Sequence, residues 1–320
     1  MMRFGVIGLG QMGRHHARVM IQSEETFFAG AVDPEGDRHG VVGIGEIFSN
    51  VDQLLSVGID GAVVAVPTSQ HRDVALVLAS AGVHTLVEKP LADTVVAARE
   101  IRDEFEGKGI IGAVGHVERF NAALQEMKHR LSSDELGRVI SITTERVGPF
   151  PHRIQDVGVV KDLATHDIDI ASWIGGAPFV EVNGQLAHKM GRPHEDLVVA
   201  TGRLENGVVI SMNVNWLTPV KRRSVSVLGE KGSFVADLLT GDLYFFANAE
   251  VTSSWDRIAQ MRGVSEGDMI RYAFAKREPL VVEHEAFRAA IRDGGAEGIV
   301  TLDEGVRILE VAEEIVGSPK

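Results

Sequence analysis

Phe4-Gly5-Val6-Ile7-Gly8-Leu9-Gly10-Gln11-Met12-Gly13 is the stretch whose reading decides the fold. Its first four residues read as a short buried strand, and Gln11 to Gln22 reads as a helix. The glycines between them suit a turn that holds a pyrophosphate. Gly8 permits the tight turn, Gly10 lets the backbone approach the phosphates, and Gly13 lets helix and strand pack closely. Leu9, Gln11 and Met12 complete the cofactor loop, and the helix N-terminus offers unpaired N–H groups to an anion. Alone, the pattern also fits an ordinary turn. Phe27 to Val32 is a second apolar run, and it ends at Asp33. A carboxylate about 20 residues past the loop meets the ribose 2′-OH. It accepts from a diol and repels a 2′-phosphate, and Arg38 is the first cation after it, so NAD is expected over NADP.

Outward from there the same grammar repeats. Gly61 to Val66, His84 to Val87 and Ile110 to Val114 are apolar runs. Val51 to Val57, Gln70 to Ala81 and Thr94 to Phe105 read as helices between them. Strands apolar throughout, flanked by helices, make a parallel sheet covered on both faces: an α/β, doubly wound Rossmann domain. Gly36, Gly40, Gly43 and Gly45 crowd the segment after Asp33. Each costs about 1 kcal/mol inside a helix, so a shortened or absent helix is expected there.

Past residue 117 the period changes. Phe120 to Leu131 and Asp162 to Ile174 read as helices; Val208 to Trp216 alternates apolar and polar, and Arg138 to Val147, Glu181 to Ala187, Leu197 to Leu204, Ser224 to Leu228 and Leu243 to Phe246 read as further strands. Helices at about Val282 to Asp293 and Asp303 to Val316 close the chain. The expectation is an α+β domain with a large, mostly antiparallel open sheet, covered on one face. The domains are then 1–117 and 118–320, with the boundary at His116 to Glu118 and a C-terminal helix able to pack back on the first domain.

Composition narrows the function. Lys and Arg number 32 against 45 Asp and Glu, a net charge of −13, which disfavours nucleic acid and anionic membrane as partners. The absence of cysteine excludes disulfides, thiolate metal sites and cysteine nucleophiles. No signal-like segment and no apolar run of about 18–20 residues appears, which fits a cytoplasmic enzyme.

Two further segments carry candidate chemistry. Glu88-Lys89-Pro90 follows a strand directly, at the mouth of a parallel sheet where such folds bind ligands. In Asp162-Leu163-Ala164-Thr165-His166-Asp167-Ile168-Asp169, Asp162 and His166 are four apart on one helical face, and Asp169 can face the same way. Asp162 also suits a helix N-cap. The spacing would serve a metal as well, but no second histidine cluster accompanies it, so no metal is expected. His15-His16 reads as packing or solvent-facing, His116 as a hydrogen-bonding residue at the junction, and Arg222-Arg223 as a solvated or interface pair.

The order of glycine loop, acid after the second strand, Glu-Lys-Pro and D-x-x-x-H-x-x-D resembles the Gfo/Idh/MocA family of sugar and inositol dehydrogenases. The resemblance implies that Lys89, Asp162 and His166 surround a reacting carbinol. An imidazole, with its ordinary pKa near ~6.5, suits the base, and a lysine suits stabilising alkoxide character. Asp162 would orient His166 or bind a sugar hydroxyl. Pro67, Thr68, His71, Glu88 and Lys89 would meet the nicotinamide end of the cofactor. Thr68-Ser69 departs from the family pattern, which often carries an asparagine there. Glu118, Arg119, Asn121 and Arg153 would join Asp162 and His166 around the substrate, with Arg119 or Arg153 pairing with a phosphate. Val117 to Asn121, Gly148 to Pro151 and Arg153 to Val160 are similar to the branch that oxidises nucleotide sugars, such as UDP-N-acetylglucosamine at C3. A free-sugar or myo-inositol dehydrogenase is the alternative enzyme. A non-catalytic NAD-binding sensor is the alternative of another class. A homodimer or homotetramer through the uncovered sheet face is expected.

Overall fold

The computed structural model describes residues 1–43, 45–151, 157–249 and 266–318. The chain divides into two compact units, Met1–Val117 with Glu278–Glu310, and Glu118–Arg277 with Val311–Lys320. Residues 278–310 group with the first unit.

In the first unit six parallel strands run in the order β3-β2-β1-β4-β5-β6. They are β1 Met2–Ile7, β2 Thr26–Val32, β3 Ile47–Phe48, β4 Gly61–Val64, β5 His84–Glu88 and β6 Gly112–Gly115. The order turns back at β1, so the crevice at its carboxyl end is where such sheets take ligands. Helices α1 Gly13–Gln22, α2 Val51–Ser56, α3 His71–Ser80 and α4 Val95–Lys108 connect the strands. Asn50 caps α2 and Thr94 caps α4, each accepting a backbone N–H three residues on. As the glycines predict, no helix joins β2 to β3 among the described residues. Gly36, Gly40 and Gly43 adopt positive φ, and the Asp37 carboxylate accepts the Val42 N–H at 2.7 Å. A late helix, α7 Pro279–Asp293, sets Phe287 edge-on to Phe4 with ring centroids 6.0 Å apart. That contact joins a core of Val6, Leu9, Met20, Val63 and Leu86.

The second unit holds an eight-stranded sheet in the order β14-β13-β12-β11-β7-β10-β9-β8. Its strands are β7 Val139–Pro149, β8 Phe179–Ala187, β9 Leu197–Leu204, β10 Val209–Asn215, β11 Leu217–Gly229, β12 Gly232–Asp237, β13 Asp242–Asn248 and β14 Glu266–Arg271. All neighbours are antiparallel except β7 and β10, which run parallel. Alternation in the sequence marks neither β12 nor β14, and it starts β11 seven residues late. Helix α5 Ala122–Ser132 packs on β12 and β13, and α6 Thr165–Gly175 packs on β7. The cross-strand register lines up Val209, Ser141, Leu228, Ser233, Phe246 and Met269 on the other face. Val209, Leu228, Phe246 and Met269 are all exposed there. The last helix is α8 Leu302–Val316. Among the described residues no helix is long and apolar enough to cross a membrane.

Candidate active site

The glycine loop is built as its spacing requires. Gly8 has φ +93°, and a Cβ there would stand 2.6 Å from the Ala65 carbonyl oxygen. A Cβ on Gly13 would overlap the Gly8 carbonyl, so α1 can start this close to β1 only with glycine. At Gly10 nothing lies within 4 Å of the Cβ position, leaving open space beside the loop backbone. The Gly8 N–H donates to Val32 O at 2.7 Å, and the Leu9 N–H donates to Asp33 Oδ2 at 2.7 Å. Asp33 Oδ1 accepts from the Glu35 N–H at 2.8 Å. Each carboxylate oxygen keeps a second lone pair for a ribose hydroxyl. An open loop at a helix N-terminus with an acceptor pair beside it fits a dinucleotide whose ribose bears a free 2′-OH.

Pro67 leads into a short 3-10 turn, Thr68–Gln70, that runs directly into α3. His71, expected at the nicotinamide, is turned inward and only 1% exposed. Its Nδ1 lies 3.0 Å from Pro90 O and its Nε2 lies 2.9 Å from Val66 O. Burial lowers its pKa below the free imidazole value, against the pull of those carbonyls and of the Glu88 charge. Glu88 is also turned inward. Its Oε1 accepts from His16 Nε2 at 2.8 Å, and its Oε2 accepts from the Lys89 N–H at 3.1 Å. Burial resists the carboxylate, but His16 and the Lys89 charge outweigh it and hold its pKa below the ordinary value. His16, expected as a half-buried packing or solvent-facing residue, is fully buried, and its Nδ1 meets His284 Nε2 at 2.8 Å. Burial, with His16 and Arg288 beside it, pushes the His284 pKa well down. Glu88 and His71 thus serve the Lys89 turn from behind. Lys89 itself is half-buried at the end of β5.

The second unit carries the other candidates. Asp162 does not begin an ordinary α-helix. It lies in a π turn, Val160–Ala164, which passes into α6 at Thr165. Such widened turns recur at functional sites. Glu195 anchors this junction: its Oε1 accepts the Val160 N–H at 3.0 Å, and its carbonyl accepts the Val159 N–H at 3.0 Å. A Cβ on Gly158 would overlap the Glu195 carboxylate, which explains glycine there. His166 sits in the first turn of α6 and is 8% exposed.

The next residues face inward. Asp169 pairs with Arg119, both buried. Arg119 is therefore occupied by Asp169 inside the unit, where the expectation had placed it on a substrate phosphate. Asp167 accepts from Arg146 Nε at 2.9 Å. Glu118 Oε1 accepts from Arg146 Nη1 at 3.1 Å and Arg223 Nη1 at 2.7 Å. Burial opposes the Glu118 charge, but Arg146 and Arg223 hold its pKa below the usual range. For Asp167 burial wins and raises the pKa despite Arg146. Glu118, expected at the substrate, is thus bound into a charge network. Asn121 caps α5 through the Ala123 N–H at 3.0 Å and donates to Leu238 O at 3.1 Å, so it too has structural work. Arg222 and Arg223 split: Arg222 meets Glu145 on the exposed side, Arg223 turns to Glu118. His116 is buried. Arg153 lies outside the described residues.

Sequence reasoning missed Arg146, Asp167, Glu195, His16 and His284. The partners of Arg146 are 21 and 28 residues away and His284 is 268 residues from His16, so no local spacing announces them.

Comparison with known proteins adds to this geometry. Residues 2–116 match the model of an oxidoreductase family with an NAD-binding Rossmann fold, and residues 124–235 match the GFO/IDH/MocA C-terminal domain. The chain is 28% identical over 293 residues to the UDP-N-acetylglucosamine 3-dehydrogenase of Acidithiobacillus ferrooxidans, spanning 91% of this chain and 88% of that one. A solved structure of that enzyme superposes with a TM-score of 0.85, covering 99% of this chain and 97% of its own. Inositol 2-dehydrogenase 2 of Saccharopolyspora erythraea is 31% identical over 227 residues, 67% of this chain and 66% of that one.

Proposed function

The chain belongs to the Gfo/Idh/MocA family of NAD-dependent sugar oxidoreductases, and on that premise we propose that it oxidises a UDP-linked N-acetylhexosamine at C3. The observation that carries the substrate is the likeness to a UDP-N-acetylglucosamine 3-dehydrogenase along 99% of the chain. The inositol dehydrogenase likeness, at 31% identity over a shorter span, supports a cyclitol as the second reading.

In this proposal Lys89, Asp162 and His166 act on one carbinol. Bound NAD supplies the hydride acceptor. His166 takes the hydroxyl proton, a role for which imidazole is suited near neutrality. Lys89 donates to the same oxygen and stabilises the charge that develops on it. Asp162 orients His166 or holds a neighbouring hydroxyl. Arg153 is the arginine left for the substrate diphosphate, since Arg119 is spent on Asp169. The loop Gly8 to Gly13, with Asp33, holds the cofactor, and Pro67 and Thr68 border its nicotinamide end. The exposed row Val209, Leu228, Phe246 and Met269 supports a homodimer or homotetramer through the open sheet face.

Mixing the protein with NAD+ and either UDP-N-acetylglucosamine or myo-inositol, and following NADH absorbance, separates the readings. Turnover of the nucleotide sugar is the expected result. Turnover of myo-inositol alone would replace it with the second reading.

A further inference from the structure

Lys89 stands on the turn that follows β5, and an amine that stabilises a developing charge needs a fixed position. Two buried histidines meet that turn. His71 bridges Pro90 O and Val66 O at 3.0 and 2.9 Å. Val66 follows β4, and its neighbour Ala65 abuts Gly8. His16 sits in α1, the helix that Gly13 opens, and holds Glu88, whose other oxygen takes the Lys89 N–H.

We infer that His16 and His71 are positioning residues for Lys89, tying its turn to the two segments that flank the glycine loop. Both rings are buried, at 0% and 1% exposure, so neither reaches a ligand. The proton inventory supports the assignment. A carboxylate only accepts, so His16 Nε2 carries the proton it gives to Glu88. Carbonyls only accept, so the neutral His71 ring donates its one N–H to Val66 O or to Pro90 O and packs its other nitrogen against the second carbonyl. His284, on α7, meets the far nitrogen of His16 and stops that ring from turning away. Replacing either ring leaves a buried acceptor unsatisfied beside Lys89.

The inference rests on the reading of Lys89 as the charge-stabilising residue, and its test separates the two. His71→Asn and His16→Asn are made alone and in a Lys89→Met background. They are assayed with NAD+ and whichever of UDP-N-acetylglucosamine and myo-inositol the wild type oxidises. Misplacing a catalytic group by about 1 Å costs up to about 10²-fold, so each histidine variant should lose at least about tenfold in kcat. KM for NAD+ should stay within about threefold, because the cofactor contacts remain. In the Lys89→Met background the further loss should shrink below about threefold, since residues acting through one group are not additive. Equal losses in both backgrounds, or unchanged kcat in the histidine variants, would overturn the inference. An unchanged kcat in Lys89→Met alone would instead overturn the reading of Lys89. Glu88→Gln, which keeps shape but cannot accept at both oxygens, repeats the test if a histidine variant fails to fold. Should neither sugar be oxidised, the rate at which trinitrobenzenesulfonate labels Lys89, read by peptide mass spectrometry, gives the comparison without turnover. A rate changed by about threefold or more in His71→Asn supports the inference, and an unchanged rate overturns it.

Discussion

The two units solve the same problem, a buried carboxylate behind a candidate catalytic side chain, in opposite ways. In the first, Glu88 is met by imidazole and backbone N–H, with one formal anion in the group. In the second, Glu118 and Asp167 are met by guanidinium groups from Arg146 and Arg223. The imidazole line is directional and fixes a turn. The guanidinium network is a set of mutual charges, each of which is costly if a partner goes. Polar burial near Lys89 is thus about geometry, and near His166 about a rigid seat for α6.

The largest effects should come from the side chains in front of these supports. His166→Asn should lower kcat by about 10²–10⁴-fold, the usual range for a general base, and flatten the acid limb of the pH profile. Near wild-type kcat from pH 6 to 9 would remove His166 from the chemistry. The supports should separate next. Arg146→Met leaves Glu118 and Asp167 buried without their main partner, and breaking such a pair costs about 3–5 kcal/mol of stability. Urea unfolding reads this directly. A loss below about 1 kcal/mol would mean the network is no more than a surface-type pair.

A smaller effect concerns cofactor choice. Asp33→Ser removes a charged acceptor, worth about 1.5–3 kcal/mol per hydrogen bond, so the preference for NAD+ over NADP+ in kcat/KM should fall at least about tenfold. An unchanged ratio would mean that Asp33 only pins the Leu9 and Glu35 amides.

The smallest effect sharpens the contrast between the two networks. The folded pKa of His284 is depressed, so the unfolded chain binds the extra proton first as pH falls. Its contribution to stability is therefore present above the unfolded value of about 6.5 and is lost below it. The melting temperature should drop from pH 7 to pH 5, and drop less in His284→Phe. An identical slope in both proteins would show that His284 is not a source of the acid sensitivity.

Legibility followed the same division. In the first unit the signals are local: a glycine triplet, an acid at a strand end, and a run of glycines that forbids a helix. They described the loop, the missing helix and every strand of the sheet but the two-residue β3. What they did not give was direction. Glu88 and His71 read as contacts of the cofactor's nicotinamide end yet point into the unit, and nothing local shows that His16 is buried against a partner 268 positions on. In the second unit the alternation found most strands, but the parallel pairing of β7 with β10 and the inward turn of Arg119 and Asn121 depend on distant elements. Spacing placed Asp162 and His166 on one α-helix, whereas Asp162 lies in a π turn that runs into the helix carrying His166. Residue type announced the chemistry; only packing showed which charges are turned into the interior.

The central claim, hydride removal from C3 of a nucleotide sugar, is tested most directly with UDP-N-acetylglucosamine deuterated at C3. Incubated with NAD+, the protein should transfer the label to the nicotinamide, and mass spectrometry should find singly deuterated reduced cofactor. Reduced cofactor without deuterium, or none formed while myo-inositol is oxidised, would contradict it.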